Sequence, residues 1–202
     1  FFKYFNFFVE NVAGVLASAG ISVNEPTLRI LLPVGISFYT FQAMSYTIDV
    51  YRGELRARRN LLDVAVFVSF FPHLVAGPIQ RASFLLPQVE AARRFSPEKA
   101  RTGFILICWG FFKKLVIADR LALYVNDVYS APTTFNGLQL TIATVFFAYQ
   151  IYCDFSGSSD IAIGSARVMG FTLMENFRSP YHSKSISEFW RRWHISLSTW
   201  FR

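Results

Sequence analysis

Residues 185–202 read SISEFWRRWHISLSTWFR, and the class of the protein turns on how that stretch is interpreted. It holds three tryptophans, three arginines and one histidine, with no proline or glycine to interrupt it. Ser185 and Glu188 stand at the spacing of a capping box, in which each side chain accepts from the other residue's backbone N–H. A single helix starting at Ser185 is therefore predicted. Helical spacing gathers Phe189, Trp193, Leu197, Trp200 and Phe201 on one broad stripe. Arg191 and Arg192 fall at its edge, and His194 has Trp190 and Ser198 a turn away. Amphipathic rings flanked by arginines suit the boundary between hydrocarbon and lipid headgroups, so the first reading is a helix lying in the membrane plane. The alternative is a core helix of a soluble protein, and the rest of the chain decides between them.

Composition decides for the membrane. Of 202 residues, 53% are hydrophobic and only 16% charged, with 23 phenylalanines, whereas roughly a quarter of an ordinary soluble chain is charged. The net charge of +7 does not point to nucleic acid, because the basic residues form short clusters between apolar runs rather than one polar face. Loop charges that set membrane orientation account for them better. Cys108 and Cys153 lie inside apolar runs and read as small buried residues. They form neither a CxxC motif nor a disulfide framework. The chain begins without methionine and stops inside a helical pattern, so it reads as a fragment truncated at both ends.

Outward from the quoted stretch, the periodicity predicts the following order. A first helix ends near Ala19 and Gly20, before a loop with Asn24, Glu25 and Pro26. Residues 30–48 carry no charge and read as a spanning helix, loosened at its start by Pro33 and Gly35. A basic loop with Arg52, Arg56, Arg58 and Arg59 follows, and a second with Arg81, Arg93, Arg94, Lys99 and Arg101. Between them lies another charge-free run, residues 64–80. Positive loops at both ends, with Pro72, Gly77 and Pro78 inside, predict a re-entrant segment returning to the cytoplasmic face. His73 within it reads as a hydrogen-bonded core group. Residues 102–118 can cross outward, with Lys113 and Lys114 able to reach an interface or an internal carboxylate. Residues 119–135 fit an external loop. A helix starting near Asn136 and Gly137 returns and ends in the loop YQIYCDFSGSSDIAIG (149–164), followed by a short helix over 160–174. Asp154 and Asp160 at the end of an apolar span are functional or ion-paired; the alternative is that Ser158 or Ser159 caps the short helix, with Asp160 in its first turn.

No phosphate-binding glycine loop, nucleophile elbow or HExxH motif is present. His73, His182 and His194 are too dispersed to argue for a metal site. What remains is a histidine in an aromatic, arginine-rich helix beside membrane-depth carboxylates. An imidazole can take a proton from a hydroxyl that attacks an acyl carbonyl, while an arginine holds an anionic sugar or a phosphate.

Four ordered stretches, LPVGISFYTFQAMSYTIDVYRG (32–53), FPHLVAGPIQR (71–81), YCDFSGSSDIAIG (152–164) and PYHSKSISEFWRRWHISLSTWFR (180–202), resemble the membrane-bound O-acyltransferases. The likeness is greatest to the alginate O-acetyltransferase branch, with the teichoic acid D-alanyl transferases as cousins. The resemblance implies an all-α fold, a multi-pass transmembrane bundle with re-entrant and interfacial helices, of which residues 1–202 are part of one membrane domain. It implies acetyl transfer from acetyl-CoA to an exopolysaccharide hydroxyl in the bacterial inner membrane, with no metal and no nucleic acid, and with partner proteins on the outer side. His194 is then the candidate catalytic residue, and Asp154, Asp160, Arg191, Arg192, Trp193 and Arg81 the candidate substrate-binding residues. The family's better-known histidine, in a Trp-His-Gly context, falls downstream of Arg202, so the fragment alone is expected to be inactive. A non-enzymatic channel or transport subunit and D-alanyl transfer to teichoic acid are the alternatives.

Overall fold

A computed structural model describes residues 5–21, 35–74 and 76–201. The regular structure of these residues is helical, apart from one isolated bridge between Phe177 and Trp193. The chain divides into two units, Phe1–Ile36 and Ser37–Arg202. In the first, α1 (Phe5–Ser18) ends before Gly20, whose φ of +80° makes it a left-handed helix terminator. The expected loop at Asn24 to Pro26, and Pro33, lie outside the described residues.

In the second unit α2 (Ile36–Tyr51) leads to α3 (Leu61–Val68), a 3-10 turn at Phe71–His73, α4 (Ala82–Glu90) and α5 (Pro97–Phe111). Asn60 caps α3 by accepting from Leu62 N–H, and Ser96 caps α5 by accepting from Lys99 N–H. The break expected in residues 64–80 is present, since Pro72 and Pro78 leave this stretch without a continuous helix. Arg58 Nε in the first basic loop lies 2.5 Å from Glu90 Oε1 at the end of α4. His73 is buried, with Nε2 against the amide nitrogen of Gln42, as a core histidine should be.

The largest departure concerns the second half. Residues 119–135, read as a loop, begin with a helix, α6 (Asp119–Ser130), joined to α5 without interruption through a π-helical stretch, Phe112–Ala118. A hydrophobic run separated by charges looks like a helix plus a loop. The charges of α6 instead line one side of an amphipathic helix, so polarity did not mean irregular backbone. The second departure is α7 (Gly137–Val168), 32 residues long. It starts where expected, at Asn136, whose side chain accepts from Gln139 N–H at 2.9 Å while Gln139 Oε1 accepts from Asn136 N–H at 3.0 Å. It then runs straight through 149–164, so the predicted loop, the short helix over 160–174 and its serine caps do not exist.

The reason is packing. At Gly103 a Cβ would stand 2.7 Å from the carbonyl oxygen of Gly164, and at Gly110 2.6 Å from that of Gly157. Four glycines thus bring the backbones of α5 and α7 together antiparallel, and helix propensity lost at each glycine is outweighed by close contact. Beside this pair a core of Phe67, Phe70, Ala82, Leu85, Leu86, Ile163, Ala166 and Leu173 joins α3, α4 and the end of α7. Cys153 is buried, but Cys108, expected to be, lies on the outward side of α5. Phe104, Ile105, Trp109, Phe111, Phe112, Leu115 and Val116 are exposed on that same outward apolar face. Among the described residues no helix is long and apolar enough to cross a membrane by itself.

Candidate active site

Five residues after the start of the 180–202 motif, Ser185 caps α8 (Ile186–Arg192) by accepting from Glu188 N–H at 3.1 Å. The reciprocal half of the box is shifted by one residue, with the Glu188 carboxylate accepting from Lys184 N–H at 2.8 Å and from Arg192 Nη2 at 2.5 Å. The helix does not continue to residue 202 as predicted. Trp193 is extended, His194 is left-handed at φ 46°, and α9 (Ile195–Trp200) starts afresh. A backbone ladder imposes the break: Arg178 N–H donates to Arg192 O at 2.9 Å, and Ile195 N–H donates to Asn176 O at 3.0 Å. Left-handed backbone costs a non-glycine residue about 1–2 kcal/mol, so these bonds and the burial around them must outweigh it.

The break turns His194 inward. Its ring meets Phe155 of α7 edge-on, with centroids 4.7 Å apart, and its Nε2 is buried without a hydrogen-bond partner. Burial pushes the imidazole down to about 4, so it is neutral at physiological pH. Trp193 points into an aromatic cluster, 5.1 Å from Phe177, 5.5 Å from Phe189 and 6.2 Å from Tyr152.

Asn176, which the sequence reading passed over, joins the motifs. Its Oδ1 accepts from Ser196 Oγ at 2.7 Å and Ser196 N–H at 3.2 Å, and its Nδ2 donates to Ser159 Oγ at 3.4 Å. Ser196 Oγ accepts from Ile79 N–H at 3.0 Å, and Ser159 Oγ donates to Ala76 O at 3.3 Å. One buried amide therefore fixes α7, α9 and the 71–81 segment around His194. A lone asparagine in a polar link, between Glu175 and Phe177, carries no periodic signal.

Asp154 and Asp160 are ion-paired instead of bridging to His194. Lys113 Nζ lies 2.8 Å from Asp160 Oδ2 and donates to Ser156 Oγ at 3.0 Å. Lys114 Nζ lies 2.7 Å from Asp154 Oδ1 and 2.7 Å from Asp119 Oδ1. At about 100° per residue, Gly157 stands about 60° from each carboxylate on α7, so the two pairs flank the glycine contact. Arg192 is held by Glu188, and Arg191 is exposed. Arg81 Nη2 donates to Thr199 O at 3.0 Å and lines a cavity of about 190 Å³ with Asp49, Arg52 and Trp200. The structure thus unites His194 and Trp193, puts Asp154 and Asp160 on lysines, and assigns Arg81 to a separate cavity. Among the described residues no group of three His, Cys, Asp or Glu side chains could hold a metal ion.

Residues 53–202 match the family model described as "MBOAT, membrane-bound O-acyltransferase family". A Pseudomonas putida protein named "Probable alginate O-acetylase AlgI" is 47% identical over 100% of this chain and 41% of its own length. A peptidoglycan O-acetyltransferase of Helicobacter pylori is 34% identical over 98% of the chain and 42% of its own length. A teichoic acid D-alanyltransferase of Bacillus subtilis is 30% identical over 89% of the chain and 46% of its own length. The chain spans less than half the length of these curated relatives.

Proposed function

The chain belongs to the membrane-bound O-acyltransferase family, and on that premise we propose that it is part of an enzyme that acetylates hydroxyl groups of an exopolysaccharide such as alginate. The donor is acetyl-CoA, and residues 1–202 form part of one membrane domain in the bacterial inner membrane. The observation that carries the reading is His194, a neutral imidazole with a buried unpartnered Nε2 where the motifs converge. Nε2 accepts the acceptor hydroxyl's proton as its oxygen attacks the acetyl carbonyl. The thioester C–S bond then breaks, and the proton passes to the leaving thiolate. Trp193 and its aromatic neighbours offer ring faces to sugar, and Arg191 an exposed guanidinium for a carboxylate or phosphate. Asp154 and Asp160 act by holding α7 against the two lysines.

The outward apolar face of α5 and the π-helical stretch supports a lipid-facing, multi-pass arrangement. Polysaccharide-modifying partner proteins belong on the outer side. Membranes carrying the full-length protein, supplied with labelled acetyl-CoA and polysaccharide, should move label to carbohydrate. Absence of protein-dependent transfer would favour a channel or transport subunit, and transfer of D-alanine instead would favour the teichoic acid reading.

A further inference from the structure

Leaving aside the two bonds that close α7, from Gly170 N–H to Arg167 O and from Phe171 N–H to Ala166 O, the backbone groups of residues 170–178 that reach other segments belong to every second residue. Gly170 O accepts from Arg93 Nη1 at 3.0 Å. Thr172 N–H donates to Gln88 Oε1 at 2.9 Å, and Thr172 O accepts from Gln88 Nε2 at 3.0 Å. Met174 N–H donates to Gln80 Oε1 at 3.4 Å. Asn176 O then accepts from Ile195 N–H, and Arg178 N–H donates to Arg192 O. Alternation of this kind belongs to an extended strand bonded along one edge. Only the last two partners are backbone. The first three are side chains from α4 and its flanks, met in antiparallel order.

Gln88 is the centre of that set. Its amide pairs both backbone groups of one residue, as a neighbouring strand would, and its Nε2 also donates to Phe84 O one turn back at 3.2 Å, which fixes the amide's orientation. Phe171 beside it is held between the Phe70 ring, 4.6 Å away between centroids, and the Arg93 guanidinium carbon, 3.4 Å from its own centroid. An apolar side chain at position 88 could fill the space but could not tell Thr172 from its neighbours. The amide therefore sets the register. A slip of one residue would exchange the two edges of the link, taking Asn176 off Ser196 and off the Ile195 N–H that follows His194.

We infer that Gln88 is a positioning residue for His194: by fixing the register of the 170–178 link it fixes where the imidazole stands. The effect on catalysis rests on the acyltransferase reading, whereas the effect on the ring does not, so both are measured.

Full-length protein carrying Gln88→Leu or Gln88→Glu is compared with wild type. Acetyl transfer per folded molecule should show kcat about a hundredfold lower in Gln88→Leu, the loss that a displacement of about 1 Å brings, with KM for both substrates within about twofold. Gln88→Glu keeps an acceptor for Thr172 N–H and loses the donor to Thr172 O, so its loss should be intermediate. It also carries the test if Gln88→Leu fails to fold. The His194 ring resonance, identified by its absence in His194→Gln and shifted by the Phe155 ring whose centroid lies 4.7 Å away, should move in the same order. A His194 resonance unmoved in both variants overturns the proposal whatever the transfer rate. So does a raised KM with kcat unchanged, which would make Gln88 a substrate contact, and so does unchanged transfer beside a moved ring. Wild-type protein that transfers nothing defeats the acyltransferase reading instead, and the resonance still decides whether Gln88 places His194.

Discussion

Gly110 of α5 and Gly157 of α7 face one another backbone to backbone: a Cβ built on either would stand 2.6–2.7 Å from the other's carbonyl oxygen. The same relation holds between Gly103 and Gly164 seven residues along each helix, which makes the pair antiparallel and in register. The two lysine–carboxylate pairs on α7 depend on this closeness, because Lys113 and Lys114 reach Asp160 and Asp154 from just past Gly110.

Gly157→Ala should therefore separate α5 from α7 and lower stability by about 1–3 kcal/mol, the cost of overpacking. Gly14→Ala in α1, where a Cβ meets nothing within 4 Å, should be neutral or stabilising by up to about 1 kcal/mol. Thermal unfolding of the full-length protein in detergent measures both. Equal midpoints for the two variants would show that the glycine contact is not tight.

The two lysines should differ in weight. Lys113 is 8% exposed, so Lys113→Met alone strands Asp160 and should cost about 3–5 kcal/mol, while Lys113→Met with Asp160→Leu should recover most of it. Lys114 and its partners are a third to a half exposed, so Lys114→Met should cost at most about 1 kcal/mol. A double variant no better than the single would sink the ion-pair account.

Asn176→Ala removes the acceptor for Ser196 N–H and Oγ and leaves them buried, a loss of about 1–3 kcal/mol. Asn176→Asp keeps that acceptor. Acetyl transfer per folded molecule should fall in the alanine variant and be partly restored by aspartate, because the network sets the position of His194. Normal transfer by Asn176→Ala would detach the network from the site.

His194 separates backbone strain from chemistry. His194→Gly relieves the φ of 46° but removes the imidazole, so membrane abundance should hold or rise while transfer is abolished. His194→Gln should also retain abundance without transfer. Normal transfer in either variant removes His194 from the reaction.

The pH dependence follows from burial. His194 is held at about 4 against about 6.5 in an unfolded chain. As pH falls from about 6.5 to about 4 the unfolded chain gains a proton that the folded one does not, so stability declines across that window and levels below it. Histidine resonances in the labelled full-length protein should include a ring that stays unchanged down to pH 5 and is absent in His194→Gln. A His194 resonance titrating near 6.5 would contradict its burial.

Composition alone pointed to a chain of membrane type, because too few charges exist to coat a soluble surface, and the four motifs pointed to an all-α fold. Local chemistry determined the start of α7 at Asn136, the cap at Ser185 and the end of α1 before Gly20, since each depends on residues within one turn. The lysine reach to an internal carboxylate was also legible, from charges placed in apolar helix. What the sequence could not decide were features set by partners far along the chain. Gly157 and Ser158 read as a turn until α5 is seen to need a glycine opposite its own. Residues 185–202 read as one helix until the 176–178 segment is seen to take their backbone bonds and turn His194 into the left-handed region. Asn176 carries meaning only where tertiary structure sets it beside Ser196 and Ser159. A burial cost and its compensation are both properties of the folded neighbourhood, absent from the residue and its spacing.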